Sequence, residues 1–261
     1  MTAIDLAGDG VRRLIVTGHP NHELAILGFV QRARPDFLFL TDGGGEERMS
    51  ESREVLRTLG LLGGARFLAW PEERFYRGLL DTDFTFFSGL VREIGREMER
   101  RVPVQVLCES VEFYNPLHDV TLALVRAAAR GRDGVVIVEF PLIAQTSEDP
   151  ERYRVQRPPE GREGDYTRLT LSEGEVAFKL EAGATAYPTL RSQLGPLLDS
   201  LGPESLVEEF FAPAREGLPA PRPDTLPRYE RRGRLLFEQG QVGRIITYRD
   251  HFLPLLRALE S

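Results

Sequence analysis

Residues 14–30, LIVTGHPNHELAILGFV, join an apolar run to a helical pattern through a turn that holds two histidines, His19 and His22. A short run of branched apolar residues is typical of a strand buried on both faces of a parallel sheet. Apolar residues three and four apart, as in the second half of the stretch, are typical of an amphipathic helix. The stretch therefore predicts a strand, a turn and a helix, with both imidazoles in the turn.

The same alternation of apolar runs and helical patterns continues to about residue 145. Because strands that alternate with helices pair in parallel through right-handed crossovers, the pattern predicts an α/β fold. We expect an open, mostly parallel, Rossmann-like sheet with helices on both faces. The predicted strands are residues 12–18, 36–44, 65–70, 103–110 and 134–140, and the predicted helices are residues 22–34, 50–60, 83–101 and 119–131.

The chain beyond residue 145 has a different pattern, which indicates a smaller α+β portion. We expect residues 146–261 to pack on the core of residues 1–145, within a single domain overall, and to supply a lid loop, a hairpin and C-terminal helices. The elements are a polar loop at 149–168, a hairpin at 168–180, a helix at 187–202, an irregular proline-rich segment at 212–228, and a short strand followed by a closing helix within 243–261.

Composition excludes several classes of partner. The formal net charge is -7, which disfavours nucleic acid and anionic membranes. Cys108 is the only cysteine, so an internal disulfide is excluded and a reducing compartment is indicated. No apolar run approaches the roughly 18 residues that span a bilayer. We expect a cytoplasmic protein with a small-molecule substrate, and the sequence leaves a homo-oligomer open.

A second turn repeats the arrangement of the first. Residues 115–119, NPLHD, match residues 19–23, HPNHE, in placing a proline, one residue, a histidine and then an acid directly before an amphipathic helix. Proline is favoured at the first helical position, so each turn is expected to open a helix. Because ligands of parallel sheets bind at the carboxyl ends of the strands, we expect His19, His22 and His118 to converge there.

Three neutral imidazoles in one place suit a divalent metal. A catalytic zinc site uses three protein ligands and keeps a fourth position for water, which ionises near neutral pH. We therefore predict Zn²⁺, with Fe²⁺ as the alternative because imidazole suits several metals. The competing interpretation is that His19 caps a helix while His22 and His118 are hydrogen-bonded surface residues.

Three segments resemble the PIG-L (LmbE-like) family of zinc-dependent N-deacetylases, with HPNHE in place of the usual HPDDE: VTGHPNHE, LFLTDGGGEERMSESREVLRTLG and NPLHD. The resemblance implies an α/β protein that removes acetyl groups from amino sugars and related glycosides. The family's first and last metal-binding histidines fall on His19 and His118. Its middle ligand, normally an aspartate, falls on His22.

The sequence departs from that family at the catalytic base. Asn21 stands where the family has its general-base aspartate, and an amide cannot take a proton. Either a metal with three neutral ligands makes its water acidic enough to need little help, or another carboxylate substitutes. Glu23 and Asp119 lie in first helical turns, where a carboxylate could instead stabilise the helix dipole or orient a ligand imidazole. The carboxylate candidates are Asp42, Glu112, Glu109, Glu23 and Asp119.

Candidate substrate-binding residues lie around the same edge. Arg48 and Arg53 are available to a substrate hydroxyl or carboxylate, although an ion pair is an equally good interpretation for Arg53. Asn115 falls on a family histidine that polarises the substrate carbonyl, and its amide could donate a hydrogen bond. The arginine-rich loop 149–168 is predicted to cover the metal end of the sheet. His251 lies away from these motifs and is not expected to be a ligand.

These features predict a metal-dependent hydrolase of the N-deacetylase or amidase type. Its substrate would be an N-acylated small molecule, such as an amino sugar or a biosynthetic glycoside. One alternative is a three-histidine iron enzyme of the redox or lyase type. The other is a non-catalytic binding descendant that has lost its base.

Overall fold

The structure is a computed structural model that describes residues 10–145, 153–201, 207–217 and 219–260. Its centre is a seven-stranded sheet with the strand order β3-β2-β1-β4-β5-β9-β8, in which β1 to β5 run parallel and β9 and β8 are antiparallel. A separate ribbon pairs β6 with β7. The predicted open, mostly parallel α/β sheet is confirmed. The strands are β1 (Arg12–Thr17), β2 (Asp36–Thr41), β3 (Ala65–Trp70), β4 (Val104–Glu109), β5 (Val135–Phe140), β6 (Ile143–Gln145), β7 (Tyr153–Val155), β8 (Thr167–Thr170) and β9 (Glu208–Pro213).

Helices cover both faces of the sheet, because the side chains of the inner strands alternate between two apolar layers. In β1, Leu14 and Val16 face the layer that contains α4, α5 and α9, and Ile15 faces the layer that contains α1 and α2. No helix in the described part of the chain is both long and apolar enough to cross a membrane. The helices are α1 (Leu27–Ala33), α2 (Glu46–Thr58), α3 (Glu72–Leu80), α4 (Phe84–Glu99), α5 (Pro116–Ala129), α6 (Glu173–Thr185), α7 (Pro188–Leu201), α8 (Arg228–Glu238) and α9 (Leu253–Glu260).

The hairpin predicted for residues 168–180 is wrong. β8 ends at Thr170, and Ser172 then caps helix α6 through a capping box with Glu175. In this box the Ser172 side chain accepts the Glu175 backbone N–H while the Glu175 carboxylate accepts the Ser172 backbone N–H. The Ser-Glu-Gly sequence that resembles a turn therefore opens a helix, because capping satisfies the first helical N–H groups.

Other elements also differ from the sequence-based prediction, since β7 lies within the predicted loop at 149–168 and β9 extends into the segment 212–228 that was predicted to be irregular. The helix predicted for residues 22–34 is split into a 3-10 helix, His22–Ile26, and α1. The helix restarts at Leu27 because the Glu209 carboxylate, from the distant β9, accepts the backbone N–H groups of Gly28 and Phe29 at 2.8 and 2.7 Å. The strand expected before the closing helix is absent, since the described residues 241–247 form no strand and lead directly into a π-helical turn, Tyr248–Phe252.

Candidate metal centre and substrate cavity

The three predicted histidines converge at the carboxyl edge of the sheet. His19 and His22 follow β1, His118 lies in the first turn of α5 after β4, and these two strands are parallel neighbours. One ring nitrogen from each histidine lies within 4.8 Å of the others. The ring centroids are 5.0, 5.3 and 4.6 Å apart, and each pair of rings is nearly perpendicular.

Local sequence explains how the two turns aim these side chains. Asn115 caps α5, because its Oδ1 accepts the backbone N–H of Leu117 at 2.9 Å, and Pro116 occupies the first helical position. Asn21 has φ 77°, a left-handed conformation that asparagine tolerates better than most residues. That conformation turns the chain sharply between His19 and His22, so both imidazoles reach one point.

The environment keeps the imidazoles neutral at ordinary pH. All three rings are buried, and burial lowers the pKa of His19 and His22 well below the usual histidine value and lowers the pKa of His118 to about 3. The positive charge of Arg48 acts in the same direction. Neutral nitrogens with free lone pairs are the form that binds a metal.

Glu109 holds His22 and the β1 turn together. Its Oε1 atom lies 2.8 Å from His22 Nδ1 and accepts the backbone N–H of Gly18 at 2.7 Å. Burial raises the pKa of this carboxyl group to about 8. When Glu109 is ionised, His22 Nδ1 donates to its carboxylate, and the Nε2 atom of His22 carries the lone pair.

A metal ion fits this group of residues. His118 Nδ1 is buried and has no hydrogen-bond partner among the described residues, so it is available as a ligand. His19 Nδ1 lies 3.4 Å from Thr41 Oγ1 and 3.6 Å from Glu72 Oε2, so polar neighbours also orient this ring. Three buried neutral nitrogens, two of them with orienting partners, form the donor set of a three-histidine metal site.

Asn21 lines the cavity, but its amide is already engaged. Its Oδ1 accepts the hydroxyl hydrogen of Ser52 at 3.0 Å, and its Nδ2 donates to Glu51 Oε2 at 2.6 Å. The backbone N–H of Asn21 also donates to Ser52 Oγ at 2.8 Å. Sequence reasoning did not identify Glu51, whose carboxylate is paired with the Asn21 amide.

Asp42 and Glu112, the two leading carboxylate candidates, do not line the cavity that opens beside the three histidines. Asp42 Oδ1 accepts the backbone N–H groups of Gly44 and Glu72, which ties the loop after β2 to the start of α3. Both oxygens of Glu112 accept backbone N–H groups, from Leu142 at 2.8 Å and Ile143 at 2.7 Å. These contacts give both side chains a structural role.

The other acids near the histidines also make structural contacts. Asp119 Oδ1 accepts the backbone N–H of Glu112 at 2.9 Å, and Glu23 Oε1 accepts the hydroxyl hydrogen of Tyr187 at 3.2 Å. Both carboxyl groups are fully buried, and burial raises the pKa of Asp119 to about 7. His251 is remote from the cluster, and its Nδ1 accepts the backbone N–H of Thr247 at 3.0 Å.

A cavity of about 330 Å³ opens beside the three histidines. Arg48 and Asn115 line it, and Asn115 Nδ2 lies 3.4 Å from His19 Nε2. Arg53 instead lies over the Phe67 ring and pairs with Glu46 near the surface. The apolar part of the wall is formed by Leu24, Leu142, Ile143, Val155 and Leu190.

Sequence reasoning missed several polar residues of the cavity, among them Glu72 and Gln156. Glu72, at the start of α3, lines the cavity, and its carboxylate accepts a hydrogen bond from the Tyr76 hydroxyl. Gln156 lines it from the end of β7, and its Oε1 is buried without a hydrogen-bond partner among the described residues. Val155 and Gln156 belong to the expected lid loop 149–168, whose residues 149–152 lie outside the described residues.

No protein-family model and no curated protein matches the chain, whereas several solved structures share its fold. The antimicrobial A40926 pseudoaglycone deacetylase Dbv21 is 17% identical with a TM-score of 0.54, and the match covers 80% of this chain and 100% of that one. A deacetylase of teicoplanin biosynthesis in a bog complex is 15% identical with a TM-score of 0.56. The zinc-inhibited form of teicoplanin deacetylase Orf2 is 11% identical with a TM-score of 0.52. The matches to the two teicoplanin structures each cover 78% of this chain and 97% of the other.

Proposed function

We propose that this chain is a metal-dependent hydrolase that removes the acyl group from an N-acylated small molecule, such as an amino sugar or a biosynthetic glycoside. The observation that carries the proposal is the convergence of three buried, neutral imidazoles beside a cavity at the carboxyl edge of the sheet. The fold shared with deacetylases of glycopeptide antibiotics supports the same reaction class.

His19, His22 and His118 would hold the metal, for which we propose Zn²⁺. When bound, such a metal supplies Lewis acidity and lowers the pKa of water. The substrate is proposed to be a small molecule because the cavity measures about 330 Å³. With a net charge of -7 and one buried cysteine, a cytoplasmic location without a nucleic-acid partner remains our proposal.

Residues of the chain itself would orient the acyl group and transfer the proton. Asn115 Nδ2 faces the histidine cluster from the cap of α5 and would donate to the acyl carbonyl. Among the described lining residues, Glu72 is the only carboxylate, so we place proton transfer there rather than on Asp42 or Glu112. A general base contributes about a hundredfold or more, which makes Glu72→Gln informative beside Asp42→Asn and Glu112→Gln.

The test is an acetate-release assay on a panel of N-acetylated amino sugars and glycosides, with protein loaded with zinc. We expect turnover by the native chain and none by His19→Ala, His22→Ala or His118→Ala, each of which should also lose metal, because a site with two imidazoles binds metal weakly. His251→Ala, a histidine remote from the cluster, is the matched control and should retain metal and activity.

Stoichiometric, tightly bound metal in all three alanine variants would contradict the site assignment. The three-nitrogen donor set also suits iron, which keeps the redox or lyase enzyme as the second candidate. Iron in protein purified without added metal, together with no acetate release, would favour that candidate. Metal-independent binding without turnover would favour a non-catalytic descendant.

A further inference from the structure

Arg48 is a buried arginine whose hydrogen-bonding groups are largely unused. Its residue is 7% exposed and it lines the cavity beside the histidines. Nη1 makes a long hydrogen bond of 3.4 Å to the Gly43 carbonyl, and Nε is buried with no partner among the described residues. A buried guanidinium normally has its charge paired and its donors satisfied, because desolvating a lone charge is costly.

The carboxylates around Arg48 are engaged elsewhere. Within the described parts of the chain, Arg48 has no ion pair within 4.0 Å. Glu72 accepts the Tyr76 hydroxyl, and Glu51 accepts the Asn21 amide and the backbone N–H of Thr189. Arg13, which is also buried, donates its Nε hydrogen to Gln105 Oε1 at 3.3 Å, and the half-buried Arg101 pairs with Asp36 and Glu97.

The backbone around Arg48 is built to admit this side chain. Gly43 has φ 67°, and a Cβ atom there would lie 2.8 Å from Arg48 Cδ and 3.0 Å from Pro20 Cδ. A side chain at position 43 would therefore push the arginine out of the cavity. Arg48 also lies in the first turn of α2, where the positive end of the helix dipole adds to its field.

We propose that the substrate of this site carries an anionic substituent, a carboxylate or a phosphate group, which Arg48 binds. The inference rests on the proposed hydrolase function and names its substrate class. The planar guanidinium forms paired, charge-assisted hydrogen bonds with both groups. Among the described lining residues Arg48 is the only lysine or arginine, and the apolar wall leaves the remaining contacts to an uncharged part of the ligand.

The test measures binding rather than turnover, and it uses protein freed of metal by a chelator, so that a metal cannot bind the anion itself. The probes are N-acetylglucosamine, its 6-phosphate and N-acetylmuramic acid, titrated calorimetrically. At least one anionic probe should bind about tenfold or more tightly than the neutral sugar, the scale of a hydrogen bond to a charged group. Whichever anionic probe binds more tightly identifies the substituent as carboxylate or phosphate.

Variants assign the preference to Arg48. Arg48→Met should abolish the difference between anionic and neutral probes, and Arg48→Lys should retain part of it. Arg53→Met, five residues further along the same helix and near the surface, is the control and should leave the difference unchanged. Since Arg48 has no ion pair to lose, the midpoint temperature of thermal unfolding of Arg48→Met should equal or exceed that of the native chain. A marked loss of stability would point to a structural role and overturn the inference.

Equal binding of all three probes, or a preference that survives in Arg48→Met, would also overturn it. The outcome is separable from the hydrolase proposal. An Arg48-dependent preference without acetate release from any compound would leave this inference standing and refute the proposed function. Hydrolysis of neutral sugars with the same KM in native protein and Arg48→Met would do the reverse.

Discussion

His22 Nδ1 and the backbone N–H of Gly18 both meet a single atom, Oε1 of Glu109, at 2.8 and 2.7 Å. Glu109 is the last residue of β4, whereas the two donors belong to the turn after β1. One carboxylate therefore sets both the path of that turn and the orientation of one imidazole. The histidine cluster is consequently built by two neighbouring strands, and its geometry depends on a residue that is not itself a proposed ligand.

Glu109→Gln should lower metal affinity by about 10- to 100-fold, the usual effect of removing a carboxylate that orients a metal-binding imidazole. The glutamine keeps an acceptor for Gly18 but cannot carry the negative charge that, when Glu109 is ionised, favours the Nδ1–H form of His22. Competition with a chromogenic chelator measures the affinity. Glu139→Gln removes another buried carboxylate, on the adjacent β5, and should leave metal affinity unchanged. Native affinity in Glu109→Gln would show that Glu109 only anchors the turn.

The histidine cluster could be predicted from sequence because its determinants are local. Each turn carries its own proline and histidine, and the parallel sheet brings the carboxyl ends of β1 and β4 together. The five parallel strands were predictable for the same reason, since each forms a short apolar run between polar turns. Local pattern and topology together were sufficient for this part of the site.

The rest of the site depends on contacts between distant parts of the chain. Glu72 lies in α3, which was not among the predicted helices, and it reaches His19 across 53 positions of sequence, a separation that periodicity cannot detect. The break before α1 is caused by Glu209, 181 positions away from Gly28. The hairpin error at Ser172 had a local cause, because serine and glycine favour both turns and helix starts.

Gln156 should lower the stability of the unliganded fold while it contributes to substrate binding. Gln156 lines the cavity, and its Oε1 is buried without a partner among the described residues, a state that costs free energy in the unliganded fold. Gln156→Met should therefore raise the thermal midpoint slightly while raising KM for the substrate. Gln193→Met, on an exposed part of the same wall, is the control for side-chain polarity. A fall in stability with KM unchanged would show that Gln156 has a structural partner.

The ion pair between Arg32 and Glu175 should stabilise the fold in a pH-dependent way. It joins α1 to α6. Lys179 of α6 donates to the Ala25 carbonyl, which belongs to the 3-10 helix that begins at His22. The hydrogen bonds from Arg32 lower the pKa of Glu175 from 4.5 to about 2. Because the folded pKa is depressed, the ionised carboxylate stabilises the fold above about pH 4.5, and this stabilisation is lost as the pH falls toward about 2.

Glu175→Gln should accordingly cost about 0.2 to 1 kcal/mol of unfolding free energy at neutral pH, the range for a solvent-accessible ion pair, because glutamine can keep the capping box. The difference from the native chain should shrink as the pH falls from 4.5 to about 2. Urea unfolding at a series of pH values measures it. Glu173→Gln, in the same helical turn, is the control, since no salt bridge within the described chain involves it. A pH-independent difference would attribute the effect to the cap rather than to the charge.

The contact between Asn21 and Glu51 requires an amide at position 21. Asn21 Nδ2 donates to Glu51 Oε2 at 2.6 Å, and Glu51 Oε1 accepts the backbone N–H of Thr189 at 2.7 Å, where α7 begins. Asn21→Asp would set two carboxylates against each other, and such a pair must share a proton. The variant should lose about 1 to 3 kcal/mol of unfolding free energy at neutral pH, the cost of a lost partner for a buried polar group.

The exchange of both residues should restore the pair. In Asn21→Asp with Glu51→Gln, the new amide donates to the aspartate while its carbonyl still accepts from Thr189, so the bridge keeps the same number of hydrogen bonds with donor and acceptor reversed. A double-mutant cycle on unfolding free energy should therefore show favourable coupling. The deficit of Asn21→Asp alone should diminish on acidification, because the shared proton raises one folded pKa and stability is lost as the pH rises through it. Additive single effects would mean that the two side chains do not interact. If the exchanged variant releases acetate where the native chain releases none, Asn21 marks a chain that has given up hydrolysis, and the proposed function is wrong.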